Sequence, residues 1–98
     1  MKEYMGDFLY TLFLLPQADV FHAHRALVAK GVSAYRTHVP RHFLRNGRCN
    51  IGILTKYETR EVAERKLREN EYEFDSVEIN EKDAMLKPFL QAWSKLRF

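Results

Sequence analysis

Two stretches of the chain are apolar at nearly every position. They are Phe8–Leu15 (FLYTLFLL) and Asn50–Thr55 (NIGILT), and their length and apolar character predict strands that are buried on both faces. Ser33–Val39 alternates between apolar and polar residues, as an edge strand does, and Tyr72–Ile79 predicts a fourth strand. Gly52, inside the second apolar stretch, predicts a close approach by another backbone or side chain.

Three other segments have the spacing of amphipathic helices. Gln17–Lys30 carries apolar residues at helical spacing, and Gly31 is suited to end that helix. Glu58–Asn70 predicts a second helix whose charged residues face solvent. The C-terminal segment carries its stripe at Leu86, Phe89, Leu90, Trp93 and Leu96.

The order of these elements, β-α-β-β-α-β, predicts an α+β protein with the ferredoxin-like fold and an additional C-terminal helix. Residues 1–80 form the ferredoxin-like domain, and residues 81–98 form the added amphipathic helix. The first and third strands of that fold lie in the middle of the sheet. Since both are apolar on both faces, the sheet face away from the two helices must also be covered. Either the C-terminal helix or a second copy of the chain covers it, and the second alternative predicts a homodimer.

Asn46-Gly47 is a strong signal for a two-residue β-hairpin turn between the second and third strands. Pairing outward from this turn places Arg45 opposite Arg48 and Leu44 opposite Cys49. The two strands are then expected to be antiparallel neighbours, with Cys49 near the tip of their hairpin.

Composition limits the class of protein. The 98 residues are 46% hydrophobic, which corresponds to one small globular domain. A chain this small has little stability to spare for an elaborate active site, so a non-enzymatic role is favoured over a complete enzyme. Cys49 is the single cysteine, which excludes an intramolecular disulfide and favours the cytoplasm. No apolar run is long enough to span a membrane, and no cofactor signature is present.

The net charge of +3 hides an uneven distribution. Between Val20 and Tyr57 there is no acidic residue, whereas the segment from Glu58 to Asp83 is rich in Asp and Glu. The positive charges of the first segment are Arg25, Lys30, Arg36, Arg41, Arg45, Arg48 and Lys56. Such asymmetry is typical of a surface that binds an anion or an acidic partner, although the two halves can also neutralise each other in the folded domain.

Cys49 is the candidate for covalent chemistry. Positive charge from Arg45 and Arg48 would favour its thiolate, the form that carries sulfur or acts as a nucleophile. The alternative is that Cys49 is a small apolar residue facing the core opposite Leu44, because free cysteine is among the most frequently buried residues.

Four segments of the sequence together resemble the selenium/sulfur carrier-like family of small bacterial domains. They are FLYTLF, ADVFHAHRALVAKGV, HVPR and CNIGI, and the resemblance covers residues Phe8 to about Ile79. In that family a cysteine followed closely by glycine opens the third strand, and the resemblance implies that Cys49 carries sulfur or selenium supplied by a donor protein. This sequence departs from the pattern because Asn50 and Ile51 separate Cys49 from Gly52.

A second hypothesis is a binding or regulatory module that uses its basic hairpin on nucleic acid or an acidic partner. The candidate anion-binding residues are Arg36, Arg41, Arg45 and Arg48. RNA-recognition domains stack bases on aromatic residues of the first and third strands, and the third strand here has none. A metal site at His38, His42 and Cys49 matches no standard zinc spacing, so no metal is predicted.

Overall fold

The chain folds into a four-stranded antiparallel sheet and two α-helices. The computed structural model describes residues 8–86 and residue 89. The strands are β1 (Phe8–Leu14), β2 (Ala34–His38), β3 (Ile51–Lys56) and β4 (Asp75–Asn80), and the helices are α1 (Val20–Lys30) and α2 (Arg60–Glu69). Short 3-10 helices lie at Arg41–Phe43, Tyr57–Thr59 and Asp83–Met85. The predicted α+β class is therefore confirmed.

The strands are ordered β2-β3-β1-β4, and each neighbouring pair is antiparallel. β1 and β3 therefore lie in the middle and β2 and β4 at the edges, as their hydrophobic patterns predict. Most residues of the two central strands are apolar, as is typical of strands with both faces covered.

Two hydrophobic clusters lie on opposite faces of the sheet. The cluster on the helix side contains Phe13, Leu15, Val20, Ala23, Leu27, Val32, Ile53, Ala63 and Leu67. The cluster on the other side contains Tyr10, Leu12, Leu14, Val39, Leu54, Ile79, Ala84 and Phe89. The expectation that the second face is covered is confirmed, and Phe89 is fully buried there. A helix was predicted within residues 81–98. Apart from residues 81–86 and Phe89, that segment lies outside the described residues.

Helix α1 ends at Lys30, as the sequence predicts, but its first residue lies three positions after the predicted start. Gly31 has a left-handed φ of 96°, and its N–H donates to the Val28 carbonyl at 2.9 Å while the Val32 N–H donates to Leu27 at 3.0 Å. These two bonds satisfy carbonyls at the end of the helix, and glycine adopts this backbone shape without steric cost. The first turn was expected at Gln17, but the helix starts at Val20.

The predicted pairing around Asn46-Gly47 is wrong. In the β2–β3 ladder His38 pairs with Ile51, and the Val39 N–H donates to the Asn50 carbonyl at 2.8 Å. Residues 40–49 therefore form a loop, named here the Cys49 loop, rather than continuing the strands. The 3-10 helix at Arg41–Phe43 follows directly after Pro40 and ends the extended backbone of β2.

A turn does form at Asn46-Gly47, but inside that loop. The Arg48 N–H donates to the Arg45 carbonyl at 3.2 Å, and Gly47 has a φ of 78°. A two-residue hairpin turn of the Asn-Gly type needs a positive φ at both central residues. Within residues 8–86, Glu71 is the one non-glycine residue with positive φ, so Asn46 does not adopt that shape. Arg45 and Arg48, like Leu44 and Cys49, are therefore not strand partners.

Gly52 lies where the sequence predicts a close approach. A Cβ atom at this position would be 2.9 Å from Leu12 Cδ1, 3.0 Å from the Phe13 carbonyl oxygen and 3.1 Å from Val39 Cγ2. The middle of the sheet therefore has no room for a side chain at residue 52.

None of the described helices is long and apolar enough to cross a membrane.

Candidate binding surface at the β2 edge and the Cys49 loop

Cys49 lies at the end of the Cys49 loop, half-buried and packed against the helix-side cluster. Its main-chain N–H donates to the Leu15 carbonyl at 2.8 Å, which fixes the end of the loop beside the end of β1. The position therefore comes from main-chain pairing, whereas the predicted hairpin would have placed Cys49 opposite Leu44.

The sulfur atom has two polar neighbours. The Ile51 main-chain N–H donates to Cys49 Sγ at 3.4 Å, and the Cys49 thiol lies 3.7 Å from Asn50 Oδ1 on the exposed side. Cys49 thus combines partial exposure with one backbone donor, an arrangement that can hold a sulfur atom in a fixed position.

Arg48 was expected to stabilise the Cys49 thiolate, but its guanidinium forms an ion pair with Asp75. Its Nε donates to Asp75 Oδ2 at 3.0 Å, and the two side chains are 18% and 37% exposed. This ion pair joins the Cys49 loop to the start of β4 and supplies a carboxylate partner for the guanidinium. The expectation that Arg48 serves an incoming anion stays a prediction, but its charge is already balanced within the fold.

Arg36, Arg41 and Arg45 are exposed, and we call these three residues the basic edge. No carboxylate among the described residues forms an ion pair with any of them. Arg36 lies on β2, and the other two follow in the Cys49 loop. They have no acidic neighbour along the chain either, because no acidic residue occurs between Val20 and Tyr57.

A groove runs between α1 and the edge strand β2. Its volume is about 510 Å³, and its lining includes Phe21, His24, Arg36, His38 and Ile51. The Arg36 guanidinium carbon lies 4.3 Å from the centroid of the Phe21 ring, a distance typical of a cation–π contact. The His24 Nε2 lies 3.1 Å from the Ala34 carbonyl oxygen, so a proton on Nε2 can bond that edge-strand carbonyl.

Phe21 is 61% exposed and was not predicted from the sequence as a site residue. The signal was present, because the buried residues of α1 are Val20, Ala23 and Leu27 and Phe21 lies out of phase with them. An exposed aromatic residue on the polar side of an amphipathic helix is more informative than another apolar residue in its stripe.

Two other arrangements considered from the sequence do not form. The described residues contain no group of three or more His, Cys, Asp or Glu side chains that could hold a metal ion, so His38, His42 and Cys49 are not brought together as ligands. The sheet face on which RNA-recognition domains stack bases is covered here, because Leu12 and Leu54 are fully buried beneath the second cluster.

Arg60 has a raised pKa. Its Nη2 donates to the Tyr57 hydroxyl at 3.3 Å, and this hydrogen bond raises the pKa of Arg60, with smaller contributions from Glu78 and Glu61, while burial opposes the shift. Arg60 therefore stays cationic. It belongs to the acidic second half of the chain and not to the basic edge.

The chain matches no protein-family model, no curated protein and no solved structure. The resemblance to selenium/sulfur carrier-like domains therefore stays a prediction.

Proposed function

We propose that this chain is a non-enzymatic binding module that engages an acidic protein partner through its basic edge. The observation that carries the proposal is the exposure of Arg36, Arg41 and Arg45 without carboxylate partners among the described residues. Exposed positive charge that is not compensated by a carboxylate steers and orients a negatively charged partner. The strand order β2-β3-β1-β4 supports a ferredoxin-like arrangement as the scaffold that presents this edge.

An acidic protein is favoured over nucleic acid because the sheet offers no exposed stacking surface. Sequence-specific recognition of single-stranded RNA depends on aromatic side chains that stack with bases, and the central strands here are covered on both faces. Phosphate contacts alone would give salt-sensitive binding without base preference.

The experiment compares the parent protein with a basic-edge triple variant, Arg36→Ala, Arg41→Ala and Arg45→Ala. The probe is a polyglutamate peptide at low ionic strength, with a generic single-stranded oligonucleotide in parallel. If each exposed charge pair contributes about 0.5–1 kcal/mol, three lost pairs weaken binding by roughly tenfold to a hundredfold. We expect the peptide affinity to fall in this way and to decrease steeply with added salt.

The matched control removes three positive charges from the acidic half of the chain, with Arg65→Ala, Arg68→Ala and Lys82→Ala. All three side chains are exposed. We expect less than a twofold change for this variant. Equal losses in both triple variants, no binding of polyglutamate at low salt, or stronger binding of the oligonucleotide than of the peptide would contradict the proposal.

Cys49 supports a second candidate function, a carrier of sulfur or selenium. The observation that favours it is the half-exposed thiol with the Ile51 N–H directed at its sulfur. In the transfer step, the Cys49 thiolate attacks the outer sulfur of a persulfide on a donor protein. A new S–S bond forms at Cys49, the donor S–S bond breaks, and the donor leaves as a thiolate.

Alkylation and persulfide detection test the carrier hypothesis. We expect iodoacetamide to modify Cys49 in the native protein, and we expect a persulfide to form after incubation with a donor persulfide and to be absent in Cys49→Ser. A native thiol that resists alkylation while the unfolded chain reacts would contradict the hypothesis. A homodimer and a cytoplasmic location stay predictions from the sequence.

A further inference from the structure

The outer side of β2 offers main-chain groups to an additional strand. The Val39 main-chain N–H donates to the Asn50 carbonyl across the ladder. Because main-chain groups alternate in direction along an antiparallel strand, those of Tyr35 and Thr37 point toward β3. The main-chain N–H and C=O groups of Arg36 and His38 therefore point outward, away from β3. β2 is an edge of the sheet, with no strand of the described chain beyond it. An extended segment lying along this edge could therefore pair with Arg36 and His38.

The edge has a defined end. His24 Nε2 lies 3.1 Å from the Ala34 carbonyl oxygen, so the outward carbonyl at the start of β2 already has a neighbour within the fold. An added strand thus pairs from Arg36 toward His38 rather than along the whole of β2. Side chains of the added strand that point toward α1 would enter the groove beside Phe21.

The groove favours an extended segment that carries both apolar and acidic side chains. Phe21 is 61% exposed and supplies apolar contact area. Arg36 stacks on the Phe21 ring while its guanidinium N–H groups remain available to a carboxylate. Since no acidic residue occurs between Val20 and Tyr57, a glutamate or aspartate of the bound segment meets no like charge from this part of the chain.

We propose that an acidic, extended segment of a partner protein binds in this groove and adds a fifth strand to the sheet at β2. The inference rests on the proposed function and specifies its binding mode, β-strand addition. A second copy of the chain is the less favourable occupant, because an antiparallel pair of β2 edges would bring the Arg36 and His38 residues of two basic segments together.

Amide hydrogen exchange measured by NMR tests this geometry on the intact protein. The probe is a synthetic peptide of about eight residues in which Glu-Glu-Val-Val is repeated, so that each face and each edge of the extended strand carries both glutamate and valine. We expect the Arg36 and His38 amides to exchange freely in the unbound protein and to become protected by about tenfold or more at saturation. The Tyr35 and Thr37 amides, which face β3, should already be protected.

Two matched comparisons separate strand addition from simple charge attraction. A peptide in which proline replaces each valine keeps the charge but loses main-chain donors, and we expect it to bind about tenfold more weakly. Phe21→Ala should weaken the glutamate–valine peptide by a similar factor, whereas Val28→Ala, an equally apolar site on α1 that is 52% exposed, should change affinity by less than twofold.

The possible failures are distinguishable. If both peptides bind equally and the Arg36 and His38 amides stay unprotected, strand addition is refuted while the basic edge remains a binding surface. Protection of these amides that grows with protein concentration and without peptide would overturn the inference in favour of a β2–β2 dimer. Loss of binding by both peptides at low salt would refute the proposed function as well.

Discussion

Gly52 provides the sharpest test of how the central strands pack. In Gly52→Ala the new Cβ would lie 3.0 Å from the Phe13 carbonyl oxygen and 2.9 Å from Leu12 Cδ1. The carbonyl belongs to β1, which pairs with β3 at Phe13 and Ile53, so it cannot move without disturbing the ladder. Leu12 is fully buried and has little room to rotate. The substitution therefore forces strain into the centre of the sheet.

Two opposing terms set the magnitude. Overpacking of a filled core costs about 1–3 kcal/mol, whereas replacing glycine restricts the unfolded chain and returns about 0.4–1 kcal/mol. Their difference is about 0–2.6 kcal/mol. Because three atoms lie within 3.1 Å of the new Cβ, we expect Gly52→Ala to lower the free energy of unfolding by about 1–2 kcal/mol. For a domain of this size that loss lowers the midpoint of thermal unfolding by roughly 5–15 °C.

Urea unfolding followed by circular dichroism measures the change in the free energy of unfolding. If the slope of this free energy against urea concentration is unchanged, the folded and unfolded states are as compact in the variant as in the parent protein. Gly31 is the control, because its φ is 96° and a Cβ there meets nothing within 4 Å. Gly31→Asn should be better tolerated than Gly31→Ala, since asparagine adopts left-handed backbone more readily. At residue 52 we expect the reverse order, with Gly52→Asn less stable than Gly52→Ala, because the larger asparagine side chain clashes more. Equal or greater stability of Gly52→Ala, or the same order at both sites, would refute the argument.

Three further experiments test the fold by urea unfolding. Phe89→Ala should cost about 3–5 kcal/mol because the ring is fully buried against the sheet, and a loss below about 1 kcal/mol would contradict that packing. A double-mutant cycle of Arg48→Ala and Asp75→Ala should give a coupling of about 0.5–1 kcal/mol that decreases with salt, and zero coupling at low salt would show that the pair does not hold the loop. Thr11→Val removes a hydroxyl that donates to Glu78 Oε1 at 3.0 Å, and we expect a loss of about 1–2 kcal/mol; unchanged stability would mean that water replaces this donor.

Hydrophobic patterning predicted the arrangement of the sheet. Phe8–Leu15 and Asn50–Thr55 carry apolar residues on both faces of the strand. Both faces must therefore be covered, which favours a central position in the sheet. Gly31 and Gly52 were also predictable, because a helix end and a crowded strand each favour a residue without a side chain.

The surroundings of Cys49 were not predictable in the same way. The Asn46-Gly47 pair is a strong local signal, yet the two strands separate before reaching it and the turn forms inside a loop. The partner of Arg48 lies at residue 75, on another strand. Local preference cannot specify a contact between residues so distant in sequence, because that contact depends on how the strands are ordered.

Periodicity and residue type predicted the four strands, the first two helices, the central and edge positions in the sheet and the uneven distribution of charge. Tertiary structure decided which charges are balanced and which remain exposed. It paired Arg48 with Asp75 and left Arg36 beside Phe21 on the open side of β2. The physical reason is that burial and charge compensation depend on distances across the fold, whereas the pattern along the chain specifies only neighbours within one element.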